Sequence, residues 1–264
     1  MSDATDLGPL FGGVVVPEAT PSPRTIRFAT PPLGDGPSRS FDAAAADPQV
    51  APLFAVSDEV TNVLVGPTFV AVTILHADQW EQLLGPLLHA VTESFTGSEE
   101  PTALDAQAPA VLTLDVGGAP VDGAEPRRLE RAWTELGAIR TDDGEGLDRL
   151  VAASHDNEPA RRQVAAVLLG DAAPEAAVRH WTRLLDDPSR SVRRAVVDTM
   201  GDAERAELRP LIEHALTDTD AWIRWRALHA IAALGVAPSR TAVEALAADP
   251  DFRVRLEAAR ALAT

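Results

Sequence analysis

The chain contains no cysteine, no lysine and no tyrosine, and the first two absences remove whole classes of chemistry. Without cysteine it supplies no disulfide, no thiol nucleophile and no cysteine-held zinc or iron–sulfur cluster. Without lysine it has neither a Schiff-base amine nor the lysine of a phosphate-binding P-loop. All 23 basic residues are therefore arginine.

Long apolar runs and an excess of positive charge are also missing. No run approaches the roughly 18 apolar residues of a membrane span, and MSDATDLGPLF lacks the basic start of a secretory signal. The net charge is −17, with three Arg against 17 acids in 1–126 (−14) and 20 Arg against 23 acids in 127–264 (−3). We therefore expect a cytoplasmic protein that does not bind membranes, and the acidity argues against nucleic acid.

Three regions can be distinguished, and together they predict an α+β protein. Region 14–97 alternates short strands and helices: TIRF at 25–28, a helix at 47–56, a hairpin at 60–75 and a long helix after it. Region 98–126 is an acidic linker rich in Pro and Gly, in which VLTLDV is a candidate strand. Region 127–264 is helical throughout. The predicted order is a small layered domain followed by an all-α array.

The first region resembles the N-terminal domain of Nfu/NifU-type scaffold proteins. The resemblance is carried by the motifs Thr20–Phe28 (TPSPRTIRF), Ser40–Asp42 (SFD), Leu53–Phe54, Val60–Gly66 (VTNVLVG), Phe69–Thr73 (FVAVT) and Trp80. In such scaffolds a separate C-terminal domain holds the iron–sulfur cluster through a Cys-x-x-Cys motif. The resemblance therefore implies a fold and a partner surface, but no cluster on this chain and no other cofactor.

The helical region repeats with a period of 31 residues. Aspartates recur at the same place in each unit: Asp156, Asp187, Asp218 and Asp249. An arginine follows each of them six residues later: Arg162, Arg193, Arg224 and Arg255. Apolar residues keep the same register after each Arg: Ala165, Val196, Ala227 and Ala258 at +3, and Leu169, Met200, Ile231 and Leu262 at +7. A period near 30 with two helices per unit indicates a solenoid of about four repeats.

The pattern D-x-x-x-x-[VI]-R-x-x-[AV] is similar to HEAT repeats, in particular to the short form of phycobilin-lyase-type proteins. This resemblance implies that the Asp and Arg residues form a structural ladder between successive units. We expect each Asp to cap its helix and each Arg to reach an acid or carbonyl of a neighbouring repeat. A catalytic site would require one unit to differ from the others, and at these positions none differs.

One helix, AWIRWRALHAI, departs from the repeat by carrying Trp222, Trp225, Arg226 and His229. At helical spacing these residues share a second face beside the buried stripe. An aromatic strip with Arg suits a protein partner or another planar anionic group. The alternative is that the Trp rings only fill wide gaps between helices.

Enzymatic alternatives use the same helix. DNA glycosylases with HEAT-like folds use Trp, Asp and Arg, which Trp222, Asp220 and Arg226 could imitate, and bilin lyases share the short repeat. The six histidines form no His-Glu or H-x-x-x-H cluster, unlike HEAT-type deoxyhypusine hydroxylases, so we expect no metal site.

The combination of an Nfu-like domain and short HEAT repeats resembles the bacterial family called conserved virulence factor C. It implies a non-catalytic scaffold that binds a protein partner, with a link to iron–sulfur assembly or virulence regulation. The sequence also leaves the apolar face of 252–262 without a second helix, because the chain stops one helix into that unit. We expect either self-association or the N-terminal domain to cover this face.

Overall fold

The computed structural model describes residues 7–96, 124–142, 144–172, 174–203, 205–234 and 239–263. The chain divides into two compact units, the first being Met1–Gly117 with Ala247–Thr264 and the second Gly118–Leu246. The division differs from the boundaries expected from sequence, because the last helix groups with the N-terminal residues. Most of the predicted linker, including VLTLDV, lies outside the described residues, and 124–126 already belong to a helix.

The first unit contains a five-stranded antiparallel sheet in the order β1-β2-β5-β4-β3. Its strands are β1 Val16–Ala19, β2 Thr25–Ala29, β3 Arg39–Phe41, β4 Val60–Gly66 and β5 Phe69–Ile74. The sequence predicted β2 and the β4–β5 hairpin, but it missed the edge strands β1 and β3. Both are four residues or shorter, and β3 follows a segment rich in Pro and Gly. Pairing with a longer neighbour, rather than local propensity, makes them strands.

Helices cover one face of this sheet. α1 (Ala51–Val56) and α2 (Trp80–Thr96) pack on alternate residues of the central strands, among them the fully buried Ile26, Phe28, Val70 and Val72. Trp80 begins α2, is 1% exposed, and its indole Nε1 donates to the carbonyl oxygen of Pro23 at 3.1 Å. This bond fixes the start of α2 against the segment before β2.

The first unit also contains the last helix of the chain, α11 (Phe252–Ala263). Phe252 and Leu256 belong to the same apolar cluster as the sheet residues, and α11 packs against β1 and the 3-10 turn Gly8–Phe11. Arg253 donates from Nη1 to the carbonyl oxygen of Pro21 at 2.9 Å, and Arg255 forms an ion pair with Glu81 of α2. The N-terminal unit therefore covers part of the apolar face that the sequence left without a helix.

The second unit is helical, with hairpins of a first and a second helix. Its helices are α3 Ala124–Leu136, α4 Gly144–Ala153, α5 Pro159–Leu168, α6 Pro174–Leu184, α7 Arg190–Ala203, α8 Arg209–Ala215, α9 Ala221–Ala233 and α10 Arg240–Leu246. Helices α3, α5, α7 and α9 pack in succession as one layer, and α4, α6 and α8 each pack on the second helix of their own hairpin. This is the arrangement expected of a solenoid.

The apolar register predicted from the repeat is confirmed in this unit. Ala165, Leu169, Val196, Met200, Ala227 and Ile231 are all at most 1% exposed. The sheet unit and the helical repeats together confirm the α+β class. None of the described helices is long and apolar enough to cross a membrane.

Candidate functional site

The repeated aspartates close the turn between the two helices of each hairpin. In every unit Oδ1 accepts a hydrogen bond from the backbone N–H two residues later. The pairs are Asp156 with Glu158 at 2.8 Å, Asp187 with Ser189 at 2.8 Å, Asp218 with Asp220 at 2.7 Å and Asp249 with Asp251 at 2.9 Å. The expectation that these aspartates cap the helix is wrong, because each second helix begins three residues after its Asp. The capping position is two residues later, where Asp220 accepts from the N–H of Ile223 at 3.2 Å.

The repeated arginines bridge one turn to the next. Arg162 donates from Nε and Nη2 to the two carboxylate oxygens of Asp187, at 2.7 and 2.8 Å. Arg193 makes the same bidentate contact with Asp218, at 2.8 and 3.1 Å. In these two units the guanidinium therefore holds the carboxylate of the following unit.

The third guanidinium nitrogen binds the arginine's own turn. Nη1 donates to the carbonyl oxygen of the Asp six residues earlier in all four units. These bonds are Arg162 to Asp156 at 2.9 Å, Arg193 to Asp187 at 2.9 Å, Arg224 to Asp218 at 2.7 Å and Arg255 to Asp249 at 2.6 Å. The side chains of Arg162 and Arg193 thus each bind their own turn and the following one.

The electrostatics of this pair suit a structural role. Burial would raise the pKa of Asp187, but the hydrogen bonds from Arg162 and from the Ser189 N–H outweigh it and lower the pKa below its ordinary value. The pKa of Arg162 is raised, chiefly by the hydrogen bond to Asp187. Both groups therefore stay charged near neutral pH, and neither is poised to exchange a proton in catalysis.

The four residues of the predicted aromatic strip lie in different surroundings. Trp225 is 4% exposed, so its ring is inside the second unit and not on the predicted contact surface. Trp222 is half-buried and meets Trp225 edge to face, with ring centroids 6.0 Å apart. His229 is exposed and stacks on Trp225 at 5.9 Å. For Trp225 the gap-filling alternative describes the structure better.

Arg226 is also held within the unit. Its Nε donates to Asp198 Oδ1 at 2.8 Å, its Nη2 donates to Asp202 Oδ1 at 2.7 Å, and its side chain is only 12% exposed. It lies across Gly201, where an added Cβ would meet the guanidinium at 2.5 Å. Arg226 therefore ties α9 to α7 and is not free to contact a partner as the sequence predicted.

Two arginines of α7 complete the surface around Trp222. The guanidinium carbon of Arg194 lies 5.1 Å from the Trp222 ring centroid, and its Nη2 donates to Asp220 at 2.9 Å. Arg190, whose side chain is 49% exposed, lies 3.6 Å from the other Asp220 oxygen. The positions of both residues in the repeat indicate the contact between Arg194 and Asp220. Arg194 directly follows the repeated Arg193, and Asp220 lies two residues after the repeated Asp218. We call Arg190, Arg194, Trp222 and His229 the Trp222 surface.

The charged residues of the glycosylase-like trio are engaged by other side chains. Asp220 pairs with Arg190 and Arg194, and Arg226 pairs with Asp198 and Asp202. An open groove crosses the turns before α7 and α9, and in it His214 Nε2 lies 3.0 Å from Asp186 Oδ1. Within the described ranges no three His, Asp or Glu side chains converge as metal ligands would.

Two family models match the chain. The model described as scaffold protein Nfu/NifU N terminal matches residues 15–98, and the model described as HEAT repeats matches residues 178–263. Both domain types inferred from the sequence are thus confirmed, and neither model joins them in one family. A search of curated proteins finds no match. The HEAT match includes α11, which the structure places in the same unit as the Nfu-type residues.

Proposed function

We propose that this protein is a non-catalytic scaffold whose HEAT repeats bind a protein partner through the Trp222 surface. Solenoids present extended surfaces of repeated helices, and partner binding is their commonest use of them. The observation that carries the proposal is the stacking of Arg194 on the half-buried Trp222 ring.

The Trp222 surface has the features of a binding hot spot. Trp and Arg are the residues that contribute most often to the core of protein interfaces. Arg194 is held by Asp220 while it stacks on Trp222, and Trp225 supports both Trp222 and His229 from below. These contacts hold the exposed groups in place before a partner arrives, which reduces the entropy lost on binding.

The repeated Asp and Arg residues are used for structure, which supports a scaffold rather than an enzyme. The same side chains that could act as acid, base or anion holder are paired across turns. Arg162 with Asp187 and Arg193 with Asp218 make complete bidentate pairs. Acid–base catalysis would require a group whose pKa is moved toward neutral pH, whereas the pKa of Asp187 is lowered and that of Arg193 is raised.

The Nfu-type domain supports a role beside iron–sulfur assembly in the cytoplasm. The chain contains no thiolate to hold a cluster, so we propose that it binds proteins of the assembly machinery rather than the cluster. The acidity of residues 1–126 would steer association with basic partners.

Affinity capture from native cytosol, followed by direct titration of the captured protein, tests the proposal. We expect Trp222→Ala to weaken binding about tenfold or more, as loss of a central aromatic residue does. Trp133→Ala is the matched control, because Trp133 is 41% exposed on α3 of the same unit. Equal affinity of the wild type and Trp222→Ala, with unchanged thermal stability, would refute the Trp222 surface.

A further inference from the structure

The sheet of the first unit has apolar residues on the side that faces away from α1 and α2. Because side chains alternate along a strand, the residues next to the buried Phe28 and Val70 point to this second side. Six apolar residues lie there: Val16, Ala29, Leu64, Phe69, Ala71 and Leu75. We call these six residues the open sheet face.

Strand pairing makes the open sheet face continuous. The residues that stand opposite each other are Val16 with Ala29, Ala29 with Phe69, and Leu64 with Ala71. Leu75 follows β5, and its backbone N–H donates to the carbonyl oxygen of Glu59 at 2.8 Å, so the pairing of β5 with β4 reaches this residue. Opposite side chains lie about 5 Å apart, and the six residues therefore form one patch.

The open sheet face is accessible and separate from the core of the unit. Leu75 is 48% exposed, and Val16, Ala29, Leu64 and Phe69 are half-buried. Among the described residues, none of the six belongs to the apolar cluster that forms the core. An antiparallel sheet that only faces water carries polar residues on its outer side, so this apolar patch favours contact with another molecule.

The polar side chains next to the patch already have partners. The pairs are Thr25 Oγ1 with Thr73 Oγ1 at 3.0 Å, Asn62 Nδ2 with Ser40 Oγ at 2.8 Å, and Arg27 Nη1 with Glu18 Oε2 at 2.9 Å. The guanidinium of Arg27 also lies over the Phe69 ring, 4.8 Å from its centroid. These groups would stay paired if the face were covered, which keeps the cost of removing water low.

The dimensions of the face suit one helix. Strands about 4.8 Å apart make the face about 15 Å wide from β1 to β4, and β5 with Leu75 is about 20 Å long. A helix is about 10 Å wide, and about 14 of its residues span about 20 Å. The backbone groups of β5 are bonded to β2 and β4, so the face offers side chains rather than a strand edge. It therefore fits an amphipathic helix better than an extended segment.

Charge and area favour a basic partner over a second copy of this chain. Residues 1–126 carry 17 acids and three Arg, so a second copy or an acidic partner would be repelled. Two copies joined face to face would bury about 600 Å² in total, below the roughly 1,200 Å² of a stable interface. A basic partner is attracted instead.

Acids also stand at the Leu75 end of the face. Asp58 and Asp78 are exposed, and each is within three residues of Glu59 or Leu75, whose backbones are bonded to each other. In the ranges that the structure describes, neither Asp58 nor Asp78 makes an ion pair. Lys or Arg side chains beside the apolar stripe of a helix would meet these carboxylates.

We propose that the open sheet face binds an amphipathic helix of a protein partner, apolar on one side and basic at its margins. This inference rests on the proposed scaffold function and deepens it by assigning the contact made by the Nfu-type domain. The face belongs to the first unit and the Trp222 surface to the second, so each can be removed without the other.

The test uses the full chain and a fluorescein-labelled peptide, LKKLLKLLKKLLKL, with binding followed by fluorescence anisotropy. L64T/L75T removes two of the six apolar side chains, keeps residues that favour strands, and should weaken binding about tenfold or more. Trp133→Ala is the matched control, because Trp133 is 41% exposed on α3, and it should change binding less than about twofold. The same peptide with Glu in place of Lys should bind the wild type at least about tenfold more weakly.

A second variant separates binding from folding. Leu75→Thr alone changes an exposed side chain outside the core cluster, so the fold should be kept. Its thermal midpoint should stay within a few degrees of the wild type. Its affinity for the Lys peptide should still fall about threefold or more, because Leu75 is the most exposed member of the face.

Four results would overturn the proposal. They are no binding of the Lys peptide by the wild type, equal affinities of the wild type and both face variants, tighter binding of the Glu peptide, and a wild-type dimer that L64T/L75T converts to a monomer in light scattering. Trp222→Ala should leave peptide binding unchanged. Equal partner capture by the wild type and Trp222→Ala counts against the Trp222 surface alone, whereas unchanged peptide binding by L64T/L75T counts against the open sheet face alone.

Discussion

Arg162 and Asp187, 25 residues apart, form a bidentate ion pair at 2.7 and 2.8 Å in which the carboxylate side chain is 2% exposed. The same guanidinium also holds the carbonyl oxygen of Asp156 in the preceding turn. One residue thus joins two consecutive turns of the solenoid, and Arg193 makes the same contacts 31 residues later.

Loss of Arg162 should be costly. Arg162→Ala leaves the Asp187 carboxylate buried and without its cation, so we expect the free energy of unfolding to fall by about 3 kcal/mol. Urea denaturation measures it. Arg140→Ala is the matched control, because Arg140 pairs with Asp142 while both are largely exposed, and it should cost less than about 1 kcal/mol. Similar losses in the two variants would contradict the structural importance of the ladder.

The same pair predicts a dependence of stability on pH. The pKa of Asp187 is lower in the folded state than its ordinary value of about 3.9, so its contribution is complete above that value and is lost as the pH falls toward the folded pKa. Asp187→Asn removes this titration. Between about pH 5 and about pH 3 the variant should therefore lose less unfolding free energy than the wild type. Parallel profiles would show that Asp187 is not stabilised as a carboxylate.

The docking of α11 can be tested at the first unit. Leu256→Ala removes a 1% exposed side chain from the cluster that contains the sheet core, and it should cost about 3 kcal/mol. Hydrogen exchange should increase in β1 and in α11 itself. Leu262→Ala, on the same helix but only half-buried, should cost less. Unchanged exchange in β1 after Leu256→Ala would contradict the packing of α11 on that strand.

Alanine substitution should affect stability differently at Gly170 and Gly201, because the side chain next to each glycine differs in its freedom to move. A Cβ at Gly170 would lie 2.6 Å from Thr199 Cγ2, whose rotamer is held by a hydrogen bond from Oγ1 to the Ala195 carbonyl oxygen at 2.8 Å. Gly170→Ala should therefore destabilise by about 1–3 kcal/mol.

At Gly201 the clash would be with the guanidinium of Arg226, which can move. Its partners Asp198 and Asp202 are exposed, so their pairs contribute little, and Ala favours the helix by about 1 kcal/mol. Gly201→Ala should leave the thermal midpoint within a few degrees of the wild type. A large fall would show that the Arg226 contacts are worth more than exposed pairs.

The sequence alone determined the α+β class, the two domain types and the apolar register of the repeat. These are set by periodic apolar positions and by motifs that recur or are densely spaced, such as the 31-residue series and VTNVLVG. Burial must repeat wherever the same helical hairpin repeats. For this reason the sequence predicts Ala165, Val196 and Ala227 in the core, and all three are buried.

Only the tertiary structure decided which groups meet. It decided that the ladder aspartates close turns rather than cap helices, that Trp225 is buried, and that Arg226 is held by Asp198 and Asp202. It also decided that α11, although a HEAT repeat in sequence, shares the core of the first unit. The physical reason is that these outcomes depend on neighbours distant in sequence, whereas periodicity reports only which face of a helix or strand is apolar.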